Sequence, residues 1–131
     1  MVASPLKGKD FMKYNTKRQQ ELYSHRVYMD VRQYGIDCLS DGRTLSLSDY
    51  CKDVDNDEAA DRIRDSVRRL AQARINLKSA EYIQGCKGSL CDALEKSYSW
   101  SHTKPIKLEE MPQVADAIDY AVIASIAKHE M

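Results

Sequence analysis

No stretch of the chain approaches the roughly 18 consecutive apolar residues that a bilayer-spanning helix needs, so no membrane crossing is expected. The opening residues, MVASPLKGKD, lack the apolar core of a secretory signal, and the expected setting is the cytoplasm. There the cysteines Cys38, Cys51, Cys86 and Cys91 are expected as reduced thiols. An excess of one charge sign is also missing: Lys plus Arg equals Asp plus Glu at 20 each. A strong non-specific binder of nucleic acid carries a net basic surface, so composition alone does not point to one. Nucleophile elbows, phosphate loops and dinucleotide glycine runs are absent. His25, His102 and His129 stand beside no recognisable catalytic motif. The expectation is a non-enzymatic protein with no cofactor. Internal repeats and low-complexity tracts are lacking as well.

Metal sites are argued against by spacing. The run DVDNDEAADRIR places Asp53, Asp55, Asp57 and Asp61 like the first, third, fifth and ninth ligands of a calcium loop. The sixth place, which needs glycine, holds Glu58, and the twelfth, which needs a bidentate glutamate, holds Arg64. An acidic helix N-terminus explains the run better. Cys86 and Cys91 have only His102 as a nearby imidazole, whereas structural zinc shows two tight ligand pairs.

What the chain does contain is amphipathic helix. The stretch Asp57–Lys78 carries Ile63, Val67, Leu70, Ala71 and Leu77 at the spacing of one helix face. Arg62, Arg64, Arg68 and Arg69 fall opposite, interleaved with Asp61 and Asp65. Acidic residues crowd its start and basic ones its end, which suits the helix dipole, and Asn56 or Asp55 can cap it. Residues 1–16 read as a basic, partly ordered lead-in, with Phe11 and Tyr14 available to pin it to the body. A second long helix is expected over 17–34, capped by Thr16 and ended by a left-handed Gly35. Tyr23, Val27, Val31 and Tyr34 form its stripe, widened by Leu22 and Met29. Tyrosines so spaced line a core edge more often than they make a binding surface.

Between these helices, Asp41-Gly42 signals a turn, with a small hairpin or a simple connection around it. A short helix from Ser48 to about Asp53 follows, with Ser46 or Ser48 as cap and Leu45, Leu47, Tyr50 and Val54 as its buried side. Ile75–Ile83 and Ser89–Trp100 can then be read as extended segments flanking Gly85 and Gly88; Leu90, Leu94 and Tyr98 also have helical spacing, so the second is expected as a short helix running into a strand. Ile106 and Leu108 alternate with Lys107 as in a short strand. The last helix is expected over 112–128, with Pro112 in its first turn. Val114, Ala117, Ile118, Ala121, Val122, Ser125 and Ile126 form its apolar face, and Ala115 and Ile123 spill beyond it. The fold class is therefore mainly α: a compact helical domain over 17–131, in the order of a helix-turn-helix with a small β wing.

Laid in order, ELYSHRVYMDV, TLSLSDYCKDV, RIRDSVRRLAQARINL, SLCDALEKSYSW and YAVI resemble the first winged-helix domain of plasmid replication initiators. The resemblance covers about residues 17–124. It implies a DNA-binding or regulatory domain of mobile-element or phage type, contacting DNA through helix 57–78. The residues that would carry the contact are Arg62, Arg64, Arg68, Arg69, Arg74 and Lys78, which could meet phosphates or guanine edges. Asp61 and Asp65 on the same face oppose it.

Charge distribution favours a rival reading. Successive blocks 1–35, 36–65, 66–104 and 105–131 carry +4, −5, +4 and −3. Such patches suit a small helical protein-interaction module, or an inhibitor of host machinery, equally well. A homodimer is a further partner expectation.

Overall fold

The computed structural model describes residues 17–38 and 42–130. Thr16, Phe11, Tyr14, Asp41 and the 1–16 lead-in, for which roles were expected above, lie outside the described residues. Within them the chain is mainly helical, with one small antiparallel sheet. The elements are α1 (Lys17–Gln33), β1 (Gly35–Cys38), β2 (Arg43–Ser46), α2 (Leu47–Asp53), α3 (Asp57–Ile75), α4 (Ala80–Ser97) and α5 (Met111–Glu130). Single 3₁₀ turns at Tyr98–Trp100 and Leu108–Glu110 close the gap between α4 and α5.

Caps set the boundaries. The Ser46 side chain accepts from the Asp49 amide at the start of α2, and Asn56 accepts from Ala59 at the start of α3. Each satisfies a backbone N–H that has no partner inside its helix. Ser79 does the same for α4 through the Tyr82 amide.

That last cap belongs to a correction. Residues 80–97 form one continuous helix, not extended wing segments. Ile83, Leu90, Ala93, Leu94 and Ser97 recur at helical spacing and all are buried, so the core selects the helical period. Gly85 and Gly88 are tolerated because they sit on the outward side. The sheet lies earlier in the chain, where β1 pairs with β2 in the register Gly35↔Ser46 to Cys38↔Arg43. Gly42 closes it with a φ of 74°, a conformation glycine adopts without strain.

Other expectations shift for physical reasons. Gly35 is not a left-handed helix end; it opens β1, and a Cβ there would collide with the Thr44 methyl across the sheet. Leu77 leaves the α3 face altogether: it takes a φ of 54° and is 90% exposed, ending the helix. Tyr34, Leu22 and Met29 are exposed, so the buried stripe of α1 is Tyr23, Ser24, Val27, Tyr28 and Val31. On α5 the expected face holds at Val114, Ile118, Ala121, Val122 and Ser125; Ala115 is covered as well, Ala117 faces out, and Ile123 is exposed beyond the face. No strand forms at Ile106–Leu108; Ile106 is buried and Leu108 begins a 3₁₀ turn.

One core joins these elements. Ile63, Val67, Leu70 and Ala71 of α3 are fully enclosed. Around them pack Val27 and Val31 of α1, Leu47 and Tyr50 of α2, Leu90 and Leu94 of α4, and Ile118 and Val122 of α5. α3 is central to this arrangement, touching α1, α2, α4 and α5. Its most extensive partner is α4, which follows it through the short connection Asn76–Ser79 to make a helical hairpin. No helix among the described residues is long and apolar enough to cross a membrane.

Candidate functional site

The outer side of α3 carries the arginines singled out by the sequence, and most are paired within the helix. Arg62 reaches Glu58 at 3.5 Å, Arg64 reaches Asp61 at 2.7 Å, and Arg69 reaches Asp65 at 3.0 Å. These are i,i+3 and i,i+4 pairs, the neighbours that helical geometry supplies. Their side chains are largely exposed, so each pair contributes only about 0.3–0.5 kcal/mol and can be exchanged for an outside partner. Arg68 has no carboxylate in this series; its guanidinium lies 4.3 Å from the centre of the Tyr28 ring on α1. Burial alone would push Arg64 down, but its hydrogen bond to Asp61 and the nearby Cys51 and Tyr28 hold its pKa above the usual value.

The set is therefore not one uniform face. Arg64 and Arg68 lean towards α1 and α2, and Arg69 leans towards α4. Arg74 crosses to α5, where Nε and Nη2 donate to the two carboxylate oxygens of Asp119 at 3.0 and 2.7 Å. The Asp119 side chain is only 5% exposed, and Lys87 stands 3.7 Å away on its other side. This two-pronged pair raises the Arg74 pKa and ties α3 to α5. Arg74 thus has a structural occupation that its place in the sequence does not reveal.

Between α3 and α4 lies an open groove of 370 Å³. Its α3 wall is Ser66, Arg69, Gln72, Ala73 and Asn76; its α4 wall is Tyr82, Gly85, Cys86 and Ser89; Lys78 stands at the hairpin end. The ammonium of Lys78 lies 5.4 Å from the centre of the Tyr82 ring. Two cations and two primary amides line this groove, and none of its lining residues is acidic. Burial pushes the Cys86 thiol up, with Arg69 opposing only in part, a shift away from the thiolate form.

Of the expected site residues, the groove gathers Arg69 and Lys78 and leaves Arg62, Arg64, Arg68 and Arg74 outside. Gln72, Asn76 and Tyr82 carry no sequence signal of their own, and Gly85 and Cys86 stand in the sequence only as a wing boundary and a zinc candidate, because extended segments do not align Tyr82, Gly85 and Cys86. Read as a helix, Tyr82, Gly85, Cys86 and Ser89 fall at i, i+3, i+4 and i+7, which places them on one side.

Two further polar clusters are structural. Asp53 accepts from Ser101 Oγ at 2.6 Å and from the Thr103 amide and hydroxyl at 3.2 and 3.0 Å. Beside it, backbone bonds from Asp55 to Trp100 and from His102 to Asp53 fasten the end of α2 to the segment after α4. Asp30 of α1 accepts from Ser125 Oγ at 2.8 Å and from His129 Nε2 at 2.7 Å, both on α5. Serine and histidine both point at the carboxylate and not at each other, so the relay of a hydrolytic triad is not formed. Comparison with known proteins finds no family model, no curated protein and no solved structure that matches the chain.

Proposed function

We propose that this protein is a helical interaction module that engages another protein through the charged ridge of α3. The observation that carries this reading is the alternation of sign along the ridge. Glu58, Asp61 and Asp65 stand among Arg62, Arg64 and Arg69, each acid paired to a base along the outer side of α3, with Arg64 half-buried. A protein partner can present the complementary sequence of charges, and exposed pairs of this kind exchange at little cost. Electrostatic complementarity then gives orientation and selectivity, while a nearby apolar contact supplies affinity.

DNA is the second reading, and one observation favours it. Arg69 and Lys78 line a groove with no acidic lining residue, and Arg62 and Arg69 are exposed enough to leave their pairs for phosphates. The short helix, break and long helix of α2 and α3 also match the element order of a DNA-reading motif. Against it, a duplex lying along α3 would bring its phosphates against Glu58, Asp61 and Asp65.

One double substitution separates the two. Arg68 and Arg69 are replaced by alanine, and the charges of Asp61 and Asp65 are reversed in a second variant. On the interaction reading, duplex DNA binding is undetectable near physiological salt and both variants release the protein partner. On the DNA reading, the wild type binds, and R68A/R69A lowers the slope of log affinity against log salt by about one unit per lost phosphate contact. Retention of all binding in both variants would exclude the ridge under either reading.

A further inference from the structure

Gly85 and Gly88 lie in the interior of α4, an 18-residue helix, where glycine is among the least favourable residues. Nothing among the described residues requires them: a Cβ built on either would meet no atom within 4 Å beyond its own helix backbone and chain neighbours. Neither has a positive φ. Alanine would fit both places and hold the helix better, so packing among the described residues does not account for either glycine. A glycine on a helix surface does lower the surface, and at Gly85 it lowers one wall of the groove beside α3. A missing side chain there serves close approach by something outside the chain.

The groove also states the chemistry of what approaches. Arg69 and Lys78 are its charged residues; no carboxylate lines the groove, and the pair that Arg69 makes with Asp65 at 3.0 Å beside it is exposed and exchangeable. Gln72 and Asn76 add amide donors between the two cations. From Ser66 to Asn76 the α3 wall runs ten residues, about 15 Å at 1.5 Å per residue, or nearly three helical turns. The chain's own basic lead-in, 1–16, has the wrong sign to fill it. We infer that the α3–α4 groove docks an acidic amphipathic helix from a partner protein. The helix backbone seats against Gly85, and carboxylates on its facing side meet Arg69 and Lys78. This rests on the interaction-module reading for the class of ligand, but of the ridge residues the groove shares only Arg69.

The test is a titration of the ¹⁵N-labelled full chain with a blocked alanine-based helical peptide of about 15 residues bearing glutamates on one face. The same peptide with glutamines is the control. Amide shifts confined to Gln72, Asn76, Lys78, Tyr82 and Gly85, lost with the glutamine peptide, are expected. Lys78→Glu should abolish the shifts. Gly85→Leu should abolish them too while leaving the melting midpoint no lower, because its side chain has open space. Absence of shifts up to millimolar peptide would overturn the proposal, as would equal response to the glutamine peptide. Tighter occupation of the groove by a short oligonucleotide, or self-association through it without peptide, would also overturn it. Charge reversal at Asp61 leaves groove binding intact, so failure of the ridge reading and failure of the groove are told apart.

Discussion

Asp30 and Asp53 are single residues on which separate parts of the chain converge. For both, burial pushes the carboxyl up, but the hydrogen bonds outweigh it: Ser125 and His129 on Asp30, and Ser101 and Thr103 on Asp53. Lys128 adds to the effect at Asp30. Both carboxyls are held below the ordinary value of 3.8. A depressed carboxylate contributes stability that is present above the unfolded value and is lost as pH falls through the folded one. Resistance of the wild type to urea should therefore weaken as pH drops below 3.8. The D30N/D53N double variant should start less stable at neutral pH and show a flatter acid limb. An identical acid limb in wild type and variant would refute the assignment. Neither role was visible in the sequence, because a carboxylate's partner tens of residues away leaves no local pattern. Asp53 drew notice only as the first place of a calcium-like run. The bond of Arg74 to Asp119 is hidden for the same reason, since Asp119 lies 45 positions further along.

Helices were the legible part of the sequence. α1, α3 and α5 follow the 3.6-residue period of their buried side chains, and the Asn56 cap was a stated alternative. α4 was not legible as a whole because its two glycines mimic breaks, and a glycine's local signal does not say whether its side of the helix is packed or open. The same ambiguity hid one wall of the groove. At this scale the central helix yields a direct test. Leu70 is fully enclosed by neighbours from the surrounding helices, so Leu70→Ala should cost about 2–5 kcal/mol through lost contacts and the cavity left behind. An unchanged denaturation midpoint would place Leu70 outside the core.

Across the whole molecule, contacts divide into near and far. The α3–α4 hairpin is closed by neighbours in sequence, through Asn76–Ser79. The meeting of α1 with α5 is of another kind. The Tyr23 hydroxyl donates to the Ile126 carbonyl across 103 positions, and Asp30 meets Ser125 and His129 across 95 and 99. Closing so long a loop costs chain entropy before any contact repays it, so the hairpin has the advantage in time. The first helix is then the last piece to dock, sealing a body already assembled around α3. Loss of its bonds to α5 should leave the folding rate nearly unchanged and raise the unfolding rate. Stopped-flow chevrons of Tyr23→Phe and Asp30→Asn test this: a slowed refolding arm would mean that the two ends of the chain find each other first. With an unchanged refolding arm, the bonds between α1 and α5 act as a brake on opening, and the lifetime of the folded state is set where these two helices meet.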